Sequence, residues 1–181
     1  MYLILSGSPN TDGLTAACVE AATRGVRQAG HETHALNLCA HRLERCRQCE
    51  AGWGICLMEH RCIIEDDLAE IQEMLAECEG LVLVTPVYFG EPSEAAKAAM
   101  DRLRRCHFQI GPAAYLQDKP VLSVAAAGGS GGGITSCLAS LERWTQHMHG
   151  TVWDLVGITR FNREARLQAI QESARRMAER V

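Results

Sequence analysis

Short apolar runs alternate with stretches of helical periodicity along this chain. Residues 2–6, YLILS, form an apolar run closed by Gly7-Ser8-Pro9-Asn10, which predicts a strand entering a turn. From Leu14 to Ala29 alanines and valines recur at helical spacing, and Gly30 marks the stop. Residues 32–38 alternate as a second strand. Leu81–Val84 is a third, continuous rather than alternating, as expected of a strand covered on both faces, and Thr85-Pro86 is its expected end. Pro120–Ala125 and Thr151–Val156 predict the fourth and fifth strands. Further helices are expected from Asp66 (with Leu68, Ile71, Met74 and Leu75 apolar), over Ser93–Cys106, Ile134–His149 and Arg163–Arg180.

Five strands alternating with five helices predict an α/β fold: a parallel sheet joined by right-handed crossovers. With no repeat and no linker, residues 1–181 read as a single domain. Residues 39–66, rich in Cys, Arg and Gly, are too many for an ordinary connection and suggest a functional loop.

Composition narrows the function classes. A chain 47% hydrophobic and 22% charged is that of an ordinary globular protein, and a net charge of −4 without a basic block argues against nucleic-acid binding. No apolar run reaches the length of a membrane span, so no membrane is expected. The start, MYLILSGSPN, reads as a strand rather than a signal peptide, and the expected location is cytoplasmic. In that compartment nine cysteines point to metal or redox chemistry rather than a disulfide framework.

In a doubly wound sheet, ligands bind beyond the carboxyl ends of the strands. Three loops belong there. The first, Ser6–Thr15, carries hydroxyl and amide donors and opens a helix, an arrangement that suits a phosphate or simply caps a helix. It is neither a Walker A sequence nor a G-x-G-x-x-G fingerprint. The second, Thr85–Ser93, sets Tyr88 and Phe89 beside Gly90, either against a flat ligand or over the core. The third, Ala126–Gly133 (AAGGSGGG), lets backbone approach a ligand, or is a flexible turn.

GSPNTDGLT, TPVYFGEPSEAAKAAMDR and the glycine-rich loop together resemble the NADPH-dependent FMN reductase family of flavodoxin-like proteins over nearly the whole chain. The resemblance implies a flavodoxin-like doubly wound five-stranded parallel sheet, order 2-1-3-4-5, with a cysteine-rich insertion. It implies that Ser8, Asn10, Gly13, Leu14 and Thr15 hold the FMN phosphate. Tyr88 and Phe89 would flank the isoalloxazine ring, with backbone contacts from Pro86, Val87 and Gly90, and Gly128, Gly129, Ser130 and Gly131 would approach the ring edge. Many members carry an Arg where this chain has Pro9-Asn10. Helix-end N–H groups and hydroxyls would therefore carry more of the phosphate binding.

Cys46, Cys49, Cys56 and Cys62 are spaced C-x2-C-x6-C-x5-C. Four thiolates in one loop could bind a [4Fe–4S] cluster or zinc, or stay free as thiols. The loop resembles the insertion of the family's iron–sulfur flavoprotein branch, with its third position stretched through Gly52-Trp53-Gly54. Cys18, Cys39, Cys78, Cys106 and Cys137 read as small buried residues, and Asp66 and Asp67 as helix caps.

The function implied is transfer of hydride from NAD(P)H to FMN, then of electrons to a small-molecule or protein acceptor, directly or through a cluster. No side chain is assigned as catalytic. The rival is a flavodoxin-like electron carrier without substrate chemistry of its own. Family likeness implies a homodimer or homotetramer, for whose interface Trp144 and Phe108 are candidates alongside plain intramolecular packing.

Overall fold

A computed structural model describes residues 1–108, 110 and 114–180. The elements in chain order begin with β1 (Tyr2–Ser6), α1 (Leu14–Gln28) and β2 (Thr33–Asn37), then a 3-10 turn over Leu38–Ala40. There follow α2 (Ile55–Met58), α3 (Leu68–Glu77), β3 (Gly80–Tyr88), β4 (Glu91–Pro92), α4 (Glu94–His107) and β5 (Pro120–Ala127). The chain continues through α5 (Ile134–His147), β6 (Thr151–Thr159) and α6 (Arg163–Glu179). Five strands pair in parallel in the order β2-β1-β3-β5-β6, the expected arrangement. The addition to it is β4, two residues folded back antiparallel on the end of β3.

The period-2 geometry of the strands explains why their sequences look continuously apolar. Leu3, Leu5, Leu81 and Leu83 point to one face, under α3, α4 and α5, where they meet Leu75, Leu103 and Trp144. Tyr2, Ile4, Val82 and Val84 point to the other, under α1 and α6, and pack on Cys18, Ala22 and Met177. Each fully buried leucine contributes about 1.5–3 kcal/mol over leaving it exposed. Trp144 is buried and donates its indole N–H to the Met100 carbonyl (2.9 Å), so it packs within the chain.

β3 runs four residues past its expected end at Val84, through Thr85 and Pro86 to Tyr88. The reason lies in the ladder. β1 pairs with β3 only as far as Ser6 opposite Val84, and the Val84 carbonyl accepts from the Gly7 N–H (2.9 Å). Pro86, two residues on, faces the same side, where β1 has already left the sheet. A missing N–H costs no ladder bond there. Among the described residues no helix is long and apolar enough to cross a membrane.

Candidate functional site

The three loops are fastened to one another at the carboxyl edge of the sheet. Ser93, the N-cap of α4, is the first fastener. Its hydroxyl accepts from the Ala96 N–H (3.3 Å) and donates to the Gly7 carbonyl (2.5 Å), while its own N–H donates to Thr85 Oγ1 (2.9 Å). The loop after β1 is thereby tied to the end of β3. Gly133 and Ser136 make the second. The Ser136 hydroxyl donates to the Gly90 carbonyl (2.7 Å). A Cβ on Gly133 would stand 2.6 Å from Gly90 Cα, and its φ of +82° suits glycine alone. None of Gly7, Thr85, Ser93, Gly133 and Ser136 stood out as site residues in the sequence. Their signals were local, a cap and two glycines, whereas their partners are remote.

Between the fasteners, Val87–Tyr88 and Glu91–Pro92 form a hairpin with a two-residue tip, Phe89-Gly90. Both tip residues have positive φ, +52° and +84°, as a type I′ turn requires. Glycine adopts this freely and phenylalanine does not, so the tip holds Phe89 outward against a conformational cost. Phe89 is fully exposed and Tyr88 half so; Pro86, Val87 and Gly90 are partly covered. The tip thus presents its aromatics to the outside rather than to the core.

The other residues proposed from sequence line the same edge. Ser8 and Thr15 are buried, Gly13 and Leu14 partly so, and Asn10 is exposed, with its N–H donated to Ser8 Oγ (3.2 Å). Gly13 is the N-cap of α1 and no side chain caps that helix. The first-turn N–H groups and the positive end of the dipole are therefore left for an outside acceptor, the arrangement a phosphate needs. At Gly128 and Gly129 a Cβ would meet nothing within 4 Å, so the backbone there is open to a ligand. A fourth loop, after β6, reaches this edge and was not anticipated. Thr159 Cγ2 lies 3.0 Å from where a Gly131 Cβ would be, and exposed Phe161 carries the Arg160 guanidinium 4.7 Å over its ring.

The cysteine loop is held differently. Cys46, Cys49, Cys56 and Cys62, all half-buried, line one narrow hollow. A fifth thiol shares it: Cys106 of α4, buried as expected but facing the other four rather than the core alone. Burial, and then the thiols of Cys62, Cys56 and Cys46, push Cys106 up to about 12. Arg47, Arg102 and Arg105 stand around the same hollow. Phe108 packs on Trp53 at 4.9 Å, and Arg105 lies 4.8 Å over the Trp53 ring, so the end of α4 clamps the loop.

Asp66 proves to be more than a helix cap. Its carboxylate is 0% exposed and takes both ends of the Arg102 fork, Oδ2 from Nη1 (2.6 Å) and Oδ1 from Nη2 (2.9 Å), with Arg102 itself 1% exposed. It also accepts from the Glu44 N–H (2.9 Å) and, as a weak cap, from the Leu68 N–H (3.3 Å). Burial works against the charge, but the Arg102, Glu44 and Leu68 hydrogen bonds outweigh it and hold the Asp66 carboxyl below the usual range. Asp67 accepts from the Arg42 N–H (2.7 Å). Both aspartates thus bind the start of the loop to its end.

Among the described residues, no three Cys, His, Asp or Glu side chains are gathered closely enough to hold a metal ion as they stand. The donor set nonetheless fits a thiophilic group in kind. Thiols share one hollow, three guanidiniums would balance thiolate charge, and the buried Nε–H of Arg102 has no acceptor among the described residues.

Comparisons with known proteins agree with this geometry. A family model described as NADPH-dependent FMN reductase matches residues 2–156. An iron–sulfur flavoprotein of Methanocaldococcus jannaschii is 37% identical over 108 residues, 59% of this chain and 54% of that protein. One of Methanosarcina thermophila is 28% identical over 151 residues, 82% of this chain and 73% of its own length. The chain thus spans about half the length of the first relative. An archaeal flavodoxin superposes with a TM-score of 0.65 at 16% identity, covering 99% of this chain and 98% of its own, a likeness of fold.

Proposed function

The chain belongs to the NADPH-dependent FMN reductase family, and on that footing we propose that it binds FMN at the carboxyl edge and is an oxidoreductase. Its electrons come from NAD(P)H and leave to a small-molecule or protein acceptor. The observation that carries this reading is the pairing, at one edge, of an uncapped α1 N-terminus with two outward aromatics on a braced hairpin tip. Bound FMN would supply the hydride- and electron-accepting chemistry.

The chain's own part is binding and orientation. Ser8, Asn10, Thr15 and the N–H groups of Gly13 and Leu14 receive the phosphate. Tyr88 and Phe89 set the plane of the ring, and backbone from Pro86 to Gly90 and from Gly128 to Gly131 fixes its edge. The departure of Pro9-Asn10 from an arginine fits an α1 terminus that no side chain caps.

The second element of the reading is an iron–sulfur group held by Cys46, Cys49, Cys56 and Cys62. Support comes from the shared hollow and from relatives named iron–sulfur flavoprotein. Such a group would take electrons singly and favours an electron-transfer role. Binding would draw the four sulfurs together, with the loop closing on the group.

The test is an absorption spectrum of the anaerobically purified protein, with iron and zinc assayed on the same sample, followed by NADH and NADPH oxidation. Flavin bands with an iron–sulfur shoulder support both elements. Flavin without iron removes the second. No flavin after FMN is added overturns the first, and flavin that neither nucleotide reduces leaves an electron carrier.

A further inference from the structure

Arg102 is among the largest fully buried side chains of the described residues, and its bonding is lopsided. The end of its fork is spent on Asp66, and Nη1 also donates to the Glu44 carbonyl (3.0 Å). Nε is buried and has no partner among the described residues. An unmet donor on a buried cation is costly, and a folded chain keeps one where something else accepts it. Arg102 lines the cysteine hollow, one turn before Cys106 on the same face of α4. Arg102 and Cys62 line the same hollow, and Nε is the guanidinium nitrogen that Asp66 leaves open.

We infer that Arg102 is a positioning residue of the thiolate site: its free Nε–H donates to a sulfur of the group bound in the hollow, and its fixed charge favours the reduced form of that group. The inference rests on the iron–sulfur reading given above. Its physical content is simple. Reduction adds a negative charge to the site, and a buried cation in its wall stabilises that added charge far more than one in water would. Asp66 offsets part of the effect, but it sits at the far end of the fork. Arg105, stacked on Trp53 at the rim, has no such buried geometry. The role differs from ligation, because Arg102 touches the group only through a ligand sulfur or as a donor beside it.

The experiment uses the whole chain, loaded anaerobically with iron and sulfide, and reads iron content and midpoint potential by dye-mediated titration. Arg102→Met alone would strand the Asp66 carboxylate, so it is paired with Asp66→Asn, which removes the ion pair without leaving a buried charge. The double variant is expected to load iron as the native chain does and to titrate at lower potential. Arg102→Lys keeps the charge and loses the Nε–H. It is expected to shift the same way by less, and it carries the test if the double variant does not fold. A midpoint equal to that of the native protein in an iron-loaded variant overturns the inference. A native chain that binds FMN but takes up no iron and sulfide overturns the iron–sulfur reading, and the inference with it. The iron assay on the native chain separates the two failures.

Discussion

The hairpin tip and the cysteine loop lie on the same molecule and are stabilised by opposite means. The tip is braced by backbone geometry and small hydroxyls: two glycines in contact, Ser93 and Ser136, and a type I′ turn that leaves Phe89 outside. The cysteine loop has little regular structure and is held by side chains: a buried ion pair between Asp66 at its end and Arg102 on α4, and the stacking of Trp53 on the end of α4. In the proposed function the rigid walls and open face of the first would suit a large flat molecule, and the buried cation of the second would suit several thiolates.

The largest expected effect separates the two regions cleanly. Asp66→Ala leaves Arg102 buried without its counterion and should cost about 3–5 kcal/mol by chemical denaturation. Limited proteolysis should then cut first between residues 42 and 66, with FMN binding less affected than stability. Equal loss at the hairpin would show that the regions are one cooperative unit. Next is Gly133→Ala. A Cβ 2.6 Å from Gly90 Cα, at positive φ, should cost about 2 kcal/mol and weaken FMN more than tenfold. Unchanged affinity would mean that the tip does not need its brace.

Acid should weaken the α4 side before the hairpin. Burial, and then the neighbouring His149, push His107 down to about 4 from an ordinary value near 6.5. The unfolded chain binds the proton that the folded chain refuses between those values, so stability falls as pH drops from about 6.5 to about 4. His107→Leu should flatten that slope in urea melts taken across the window; a slope that persists assigns it to other groups. The smallest effect on the fold is Phe89→Ala. A fully exposed side chain should leave the melting temperature unchanged, while FMN affinity drops several-fold, as losing about 1 kcal/mol of aromatic contact implies. No change in affinity would remove Phe89 from the ring contacts.

Most of the sheet could be read in advance because its signals are local. Runs such as Leu81–Val84 and the periodicity of Leu14–Gln28 need no knowledge of distant residues. The place of three loops on the sheet edge followed from the doubly wound pattern, and the order of the strands came with the family likeness, which rests on linear motifs. What escaped was whatever depended on a partner far along the chain. Pro86 looked like a strand end because proline lacks a donor. Only the early departure of β1 from the ladder makes that lack harmless. Asp66 looked like a cap because it precedes a helix, and its counterion stands 36 residues away. Cys106 looked like filler on a helix, and only the fold brings it to the loop cysteines.

α4 begins at one region and ends at the other. Its cap, Ser93, fastens the hairpin base, and Arg102 and Cys106 wall the hollow. Arg102 lies nine residues on from Ser93 along the helix, a rise of about 14 Å. A helix of that length is a stiff ruler, so the spacing between the two regions is set by covalent geometry and barely responds to what either one holds. Lengthening α4 by a single residue would change that spacing by only about 1.5 Å but rotate one end against the other by about 100°. The register of this helix, more than its length, is what the molecule has least freedom to alter.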